Sequence, residues 1–117
     1  MNIEELREYC LKKKGAEESF PFDDTVLVFK VLGKIFALTS TEGEFTVNLK
    51  CDPEKAIELR EKYSGVKPGY HMNKKHWNTI YFDGSISDLD AKKWIEDSYN
   101  LVEKSLTKTQ QQHLKNL

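Results

Sequence analysis

The sequence predicts a two-layer α+β domain, α-β(3)-α-β(2)-α, with helices packed on an antiparallel sheet. Three features carry that prediction. Strand-like segments come in runs, first Thr25–Leu32, Ile35–Ser40 and Phe45–Lys50 and later Val66–His71 and His76–Phe82, whereas a parallel sheet needs a crossover between neighbours. Within Phe45–Lys50 the apolar Phe45, Val47 and Leu49 alternate with Thr46, Asn48 and Lys50, the pattern of a strand with one buried and one wet face. Three further segments repeat apolar residues at helical spacing and open on capping residues.

Taken in order, Asn2 followed by Glu5 reads as a capping box. Ile3, Leu6 and Cys10 then share one face of a helix of about a dozen residues that stops at Gly15. Phe20 to Asp24 is an extended entry and turn. Thr25–Leu32 is rich in Val and Phe, and Gly33 beside Lys34 folds the chain back through Ile35–Ser40 as a hairpin. After a break at Glu42-Gly43, Phe45–Lys50 completes a meander. Asp52-Pro53 starts the second helix, Asp as the expected cap of the free N–H groups and Pro at the first helical position. Ala56, Leu59 and Tyr63 form its inward stripe, and Gly65 ends it. Val66–His71 and His76–Phe82 flank Met72–Lys75 as a second hairpin, closed by Asp83-Gly84. Ser87 or Asp88 caps the last helix, where Ala91, Trp94, Ile95, Val102 and Leu106 recur on one face. From Lys104 onward the chain has no acid and little apolar content. The expectation is one domain over residues 1–106, with 107–117 a fraying tail or an added helical turn.

A length of 117 residues suits one core and leaves no room for a second. No apolar run approaches the roughly 20 residues of a membrane span, and MNIEELREY lacks the basic-then-apolar order of a signal peptide. A cytoplasmic location without membrane association is expected. Cys10 and Cys51 are too few for a zinc site and read as two reduced thiols. With no P-loop, GxGxxG, HExxH or GxSxG, neither an enzyme nor a cofactor is expected.

The segment richest in chemistry is Val66–Phe82, VKPGYHMNKKHWNTIYF, with three lysines, two histidines and no carboxylate in a chain whose formal net charge is −1. Lys67, Lys74 and Lys75 give it a local positive field, and Tyr70, Trp77 and Tyr81 offer flat surfaces with polar edges. Such a strip suits an anionic, base-bearing partner. It also has the composition of an ordinary solvated hairpin whose aromatics pack into the core.

The segments FPFDDTVLVFKVLGKIFAL (Phe20–Leu38), VNLKCDPEKAIELREKY (Val47–Tyr63), PGYHMNKKHWNTIYFDG (Pro68–Gly84) and WIEDSYNLVEKSL (Trp94–Leu106) resemble the MmcQ/YjbR family of small bacterial proteins. The resemblance implies a CyaY-like, secretion-chaperone-like α+β fold, and DNA binding through a double wing in which two β-hairpins straddle the nucleic acid. Mapped onto this sequence, the first wing is Val26–Thr39 with Lys30 and Lys34. The second is Val66–Phe82, where Lys67, Lys74 and Lys75 supply phosphate contacts, Asn73 and Asn78 bond phosphates or base edges, and Tyr70, His71, His76 and Trp77 stack or hydrogen-bond. Alternation sends Trp77 and Asn78 to opposite faces, and the bulk of indole favours a buried Trp77 with an exposed Asn78. The pI of about 6.3 and the confinement of arginine to Arg7 and Arg60, both on predicted helices, leave few bidentate readers of guanine. About three to five lysine–phosphate contacts imply weak, non-specific and steeply salt-dependent DNA binding.

The competing reading is a chaperone-like protein- or peptide-binding module, monomer or homodimer, with Tyr70, Trp77, Tyr81 and Phe45 as anchors. His71 and His76, five apart, miss the paired spacing of a helical metal site. Asp23-Asp24 reads as a turn. Cys51, beside Lys50 and just ahead of a helix N-terminus, is a candidate low-pKa thiol without a placed base. Glu4, Glu5, Glu8, Glu17 and Glu18, interspersed with Arg7 and Lys12 to Lys14, read as a solvated face rather than an iron site.

Overall fold

The chain runs α1 (Ile3–Leu11), β1 (Ala16–Ser19), β2 (Val26–Val31), β3 (Lys34–Ser40), β4 (Thr46–Lys50), α2 (Pro53–Lys62), β5 (Val66–Pro68), β6 (Trp77–Tyr81), α3 (Asp88–Lys104) and α4 (Lys108–Lys115), in a computed structural model that describes Met1–Leu117. The strands form one six-stranded sheet, ordered β1-β2-β3-β4-β6-β5, with every neighbouring pair antiparallel. The α+β class holds, with one strand and one helix more than expected.

The extra strand, β1, has the sequence AEES and pairs with β2 from Ala16↔Val31 to Ser19↔Val28. Its composition is poor for a strand, so the ladder offered by the edge of β2 decides its conformation. At the other end of the chain, residues 107–117 form a capped helix longer than the added turn. Thr107 and Gln110 close a capping box, Leu114 is buried, and Lys14 Nζ donates to the Lys115 carbonyl at 2.8 Å. One leucine per two turns is enough to dock a helix that composition alone presents as a tail.

Side-chain direction follows from the registers. Across the sheet, Phe29, Ala37, Leu49 and Asn78 fall in one row, and Leu27, Thr39, Val47, Ile80 and Val66 in another. The apolar members of both rows share one buried cluster with Leu6 and Cys10 of α1, Leu59 of α2, Ala91, Trp94, Ile95, Tyr99 and Val102 of α3, and Leu114 of α4. All four helices therefore cover the same face. A bulge between Phe29 and Lys30 skips Phe36, so Phe36 and Ala37, consecutive in sequence, are both fully buried in that cluster. Phe36 packs edge-on against Tyr99 with ring centroids 5.3 Å apart, and Tyr63 meets Trp94 at 5.0 Å, fastening α2 to α3. Ser98, fully buried in α3, donates to the Phe36 carbonyl at 2.6 Å and accepts from the Lys50 N–H at 2.9 Å. It thereby joins the helix to the backbones of β3 and β4. No helix is long and apolar enough to cross a membrane.

Caps follow the sequence in two of three cases. Asn2 accepts from Glu5 N, one half of the expected capping box, without a return bond from the Glu5 side chain, and Ser87 accepts from Asp90 N. Asp52 occupies the N-cap of α2 with Pro53 following, but its carboxylate makes no capping bond.

Candidate nucleic-acid interface

The alternate row, Val28, Leu38, Asn48, Thr79 and Lys67, faces away from the helices, and within it Val28, Leu38 and Thr79 are buried while Asn48 is half-buried and Lys67 exposed. Lys30 lies between the inward Phe29 and Val31, and Lys50 and Trp77 pair one step beyond Leu49 and Asn78, so these three also belong to the outer face. Strands β2 to β6 contain no Asp or Glu at all. Of the two glutamates on β1, Glu18 turns to the helix side and pairs with Arg7, which holds its carboxyl below the usual range, while Glu17 sits opposite Lys30. Thus the outer face carries Lys30, Lys50 and Lys67, with its one carboxylate at the β1 edge. Lys30 and Lys67 are four strand spacings apart, about 19 Å.

Both hairpin tips lie at the same end of the sheet, since β2, β4 and β5 all run toward it. At the first tip Leu32 and Gly33 both take positive φ, 46° and 83°, as a two-residue hairpin turn requires. Residues 69–76 make the second tip. There Lys74 Nζ donates to the Gly69 carbonyl at 2.8 Å, Arg60 bonds the Lys74 carbonyl, and Asn73 Oδ1 accepts from Lys75 N. Tyr70, 66% exposed, lies against His71 with ring centroids 4.0 Å apart and planes tilted by 50°, and its N–H reaches Thr79 Oγ1, which in turn donates to Asn48. The tip is thus tied over the outer face by a side-chain chain running through three elements.

Several candidate residues take roles that local sequence does not show. The expected choice between Trp77 and Asn78 is reversed: Trp77 is half-buried on the outer face, and Asn78 is 2% exposed beneath the helices, donating from Nδ2 to the Ala56 carbonyl at 3.3 Å. Asn78 is therefore removed from the interface. Lys34 turns to the helix side, where its Nζ donates to the Ser105 carbonyl at the end of α3; Lys74 and Asn73 hold the second tip together. Lys30, Lys67, Lys75, Tyr70 and His71 have no such internal tie from their side chains, and His76 is half-buried. Lys50, not among the candidates, joins the outer set, and its signal is present in the alternation with Leu49. Phe45, a proposed peptide anchor, stacks on Phe82 at 5.1 Å and packs against the core.

The family model described as YjbR matches residues 11–101. This chain belongs to the YjbR family. Among its relatives, the uncharacterized protein YbdF of Escherichia coli O157:H7 is 40% identical over 113 residues, covering 96% of this chain and 93% of the relative. The uncharacterized protein YjbR of Escherichia coli K12 is 41% identical over 100 residues, 85% of each chain. The crystal structure of Deinococcus radiodurans protein DR2400, with domain DUF419, superposes with a TM-score of 0.89 at 40% identity, covering 97% of this chain and 88% of that one. The MmcQ/YjbR resemblance and the α+β class thus both hold.

In this YjbR-family chain the other chemical candidates resolve into structural parts. Asp23 accepts from Thr25 N, Val26 N and the Thr25 hydroxyl, bonds that lower its pKa and make it the anchor of a turn. Cys10 and Cys51 are free thiols. Burial pushes Cys10 up to about 12. Cys51 rises to about 11, through burial and then the carboxylates of Asp52 and Asp97, which outweigh Lys55 and Arg60. The low-pKa thiol expected there is overturned, because burial first and the neighbouring carboxylates second disfavour the thiolate.

Proposed function

We propose that this protein binds DNA weakly and without sequence preference across the outer face of its sheet, a non-enzymatic role. The observation that carries this reading is the near absence of carboxylates from that face: β2 to β6 hold none, while Lys30, Lys50 and Lys67 point outward together with the half-buried Trp77 and Tyr81. The acids that bring the chain to a net charge of −1 lie mostly on helices and loops. Local field rather than net charge governs encounter with a polyanion. Lysines act here as point charges along a backbone, and the exposed Tyr70 and His71 rings with the half-buried, outward Trp77 offer surfaces on which unpaired bases can stack. An extended single strand therefore fits better than a duplex. With no arginine on this face, base-edge readout has no bidentate donor, and affinity rests on the phosphate term.

Peptide capture by strand addition has less support. The free edges are β1, four residues with two glutamates, and β5, three residues ending in Pro68. Short, charged or proline-bearing edges resist pairing with another chain.

The test is fluorescence anisotropy of a labelled oligonucleotide, single-stranded and duplex, at low and moderate salt, with wild type and Lys30→Ala/Lys50→Ala/Lys67→Ala. The expected result is weak wild-type binding that favours the single strand and falls with salt. The variant should bind more weakly, with a salt slope shallower by about 0.7 for each phosphate it no longer neutralises. Equal binding by wild type and variant, or none by wild type at low salt, contradicts the reading.

A further inference from the structure

On the helix side of the sheet, a cavity of about 330 Å³ lies between α2, α3 and strands β4 and β6. Leu49, Asn78 and Ile80 form its sheet side, with Leu59 of α2 and Trp94 of α3 against them. Asn78 is the anomaly. In the row Phe29, Ala37, Leu49, Asn78 it is the one polar member, and it is 2% exposed. Its Nδ2 is held on the Ala56 carbonyl, and its Oδ1, covered from bulk solvent, has no donor. The orientation follows from chemistry: a backbone carbonyl only accepts, so the NH2 end must face Ala56 and the carbonyl end is the free one. An unpaired buried acceptor opposes folding, and a leucine in this row would avoid the penalty. Its position on the wall of a ligand-sized cavity makes sense as a receptor for a donor brought by a bound molecule.

The rim carries both signs, Asp52 and Asp97 against Lys50, Lys55 and Lys104. Asp52 stands at the N-cap of α2 without bonding its N–H groups, so its carboxylate remains available beside the cavity, and Asp97 stands across from it on α3. Asp97 is paired with Lys93 at 2.7 Å, so the rim charges select neither anion nor cation, and the choice of a donor rests on Asn78. The volume is at the small end of ligand sites and accommodates one or two fused rings.

We propose that this cavity is a binding site for a small, largely apolar ring compound carrying an N–H or O–H donor, with Asn78 Oδ1 accepting from that donor and Leu49, Leu59, Ile80 and Trp94 enclosing the ring. The site lies behind the sheet and stands or falls separately from DNA binding on the outer face. Two isosteric probes separate donor recognition from apolar filling: indole, which has an N–H, and indene, which lacks it. The experiment is an amide NMR titration of the full chain with each probe. Indole is expected to give saturable shifts at the Asn78 side-chain amide, Cys51 and Ala56, and indene to bind at least about tenfold more weakly. In Asn78→Leu, which completes the apolar row, the two probes are expected to bind equally. Absence of saturable shifts with indole, equal affinities in wild type, or a preference for indole that survives in Asn78→Leu would each overturn the proposal. The wild-type comparison decides it alone if the variant does not fold.

Discussion

Residues one step apart on β6 meet opposite surroundings. Asn78 and Ile80 look into the helix layer, where Leu49, Val47 and Leu59 surround them; Trp77, Thr79 and Tyr81 look away, among Lys50, Asn48 and Lys67. The inner face is closed by four helices, and its polar groups are nearly all matched, Ser98 bridging two strands and Thr39 donating to the Thr46 carbonyl. The outer face has no helix over it and carries three of the four lysines of the sheet, Lys34 being turned to the helix side, around a buried set of Val28, Leu38 and Thr79. Because the side-chain period of a strand is two, one set of positions builds the main core, while the other combines a smaller buried set with positions that carry charge. That separation is how a slightly acidic chain can present a cationic surface.

If the inner face holds most of the fold, the largest loss should come from Phe36, the bulge residue locked between Phe29 and Tyr99. Phe36→Ala should cost about 3–5 kcal/mol in urea unfolding, because a buried ring leaves a cavity the sheet cannot collapse to fill. Ser98→Ala should cost about 1–3 kcal/mol, since it leaves the Phe36 carbonyl and the Lys50 N–H without their partner; a neutral result would mean that α3 does not need this clasp on β3 and β4. Smaller still is the effect at the turn after β6. Asp83 accepts from the Ser85 hydroxyl and N–H and from the Ser64 hydroxyl, bonds that lower its pKa from an ordinary 3.8 to about 2. A carboxylate depressed on folding contributes stability that is fully present above its unfolded pKa and is lost as pH falls through the folded value. Stability should therefore fall between about pH 4 and pH 2, and less so in Asp83→Asn, as followed by urea midpoints at several pH values. The smallest change in stability, within about 0.5 kcal/mol, is expected for Lys30→Ala/Lys50→Ala/Lys67→Ala. A larger loss would show that the outer face also supports the fold and would blur the contrast between the two sides.

Much of this contrast is legible in the sequence. The alternation of Phe45–Lys50 puts Leu49 inside and Lys50 outside, and the helical stripe of Ala91, Trp94, Ile95 and Val102 is the one that covers the sheet. On β6 the alternation is legible but its phase is not. Trp77, Thr79 and Tyr81 share one parity and Asn78 and Ile80 the other, and residue size favours the wrong set. Tryptophan and tyrosine tolerate a half-exposed position because of their polar edges, so Ile80 is the better guide. The bulge at Phe36 leaves no mark in KIFALTS. Strand β1 exists through pairing with β2, against its own composition. The internal bonds of Lys34 to Ser105 and of Lys74 to Gly69 depend on how the helix layer and the second tip sit, which local pattern does not encode.

Everything proposed for the lysines requires that DNA meet the outer face and leave the helix face untouched. An amide NMR titration with an unlabelled single-stranded oligonucleotide at low salt reads this residue by residue. Shifts are expected at Lys30, Asn48, Lys50, Lys67, Tyr70 and the Trp77 indole N–H, with the exposed positions of α1 and α3 unchanged. Shifts concentrated on the helices, or none anywhere, would contradict DNA binding across the outer face.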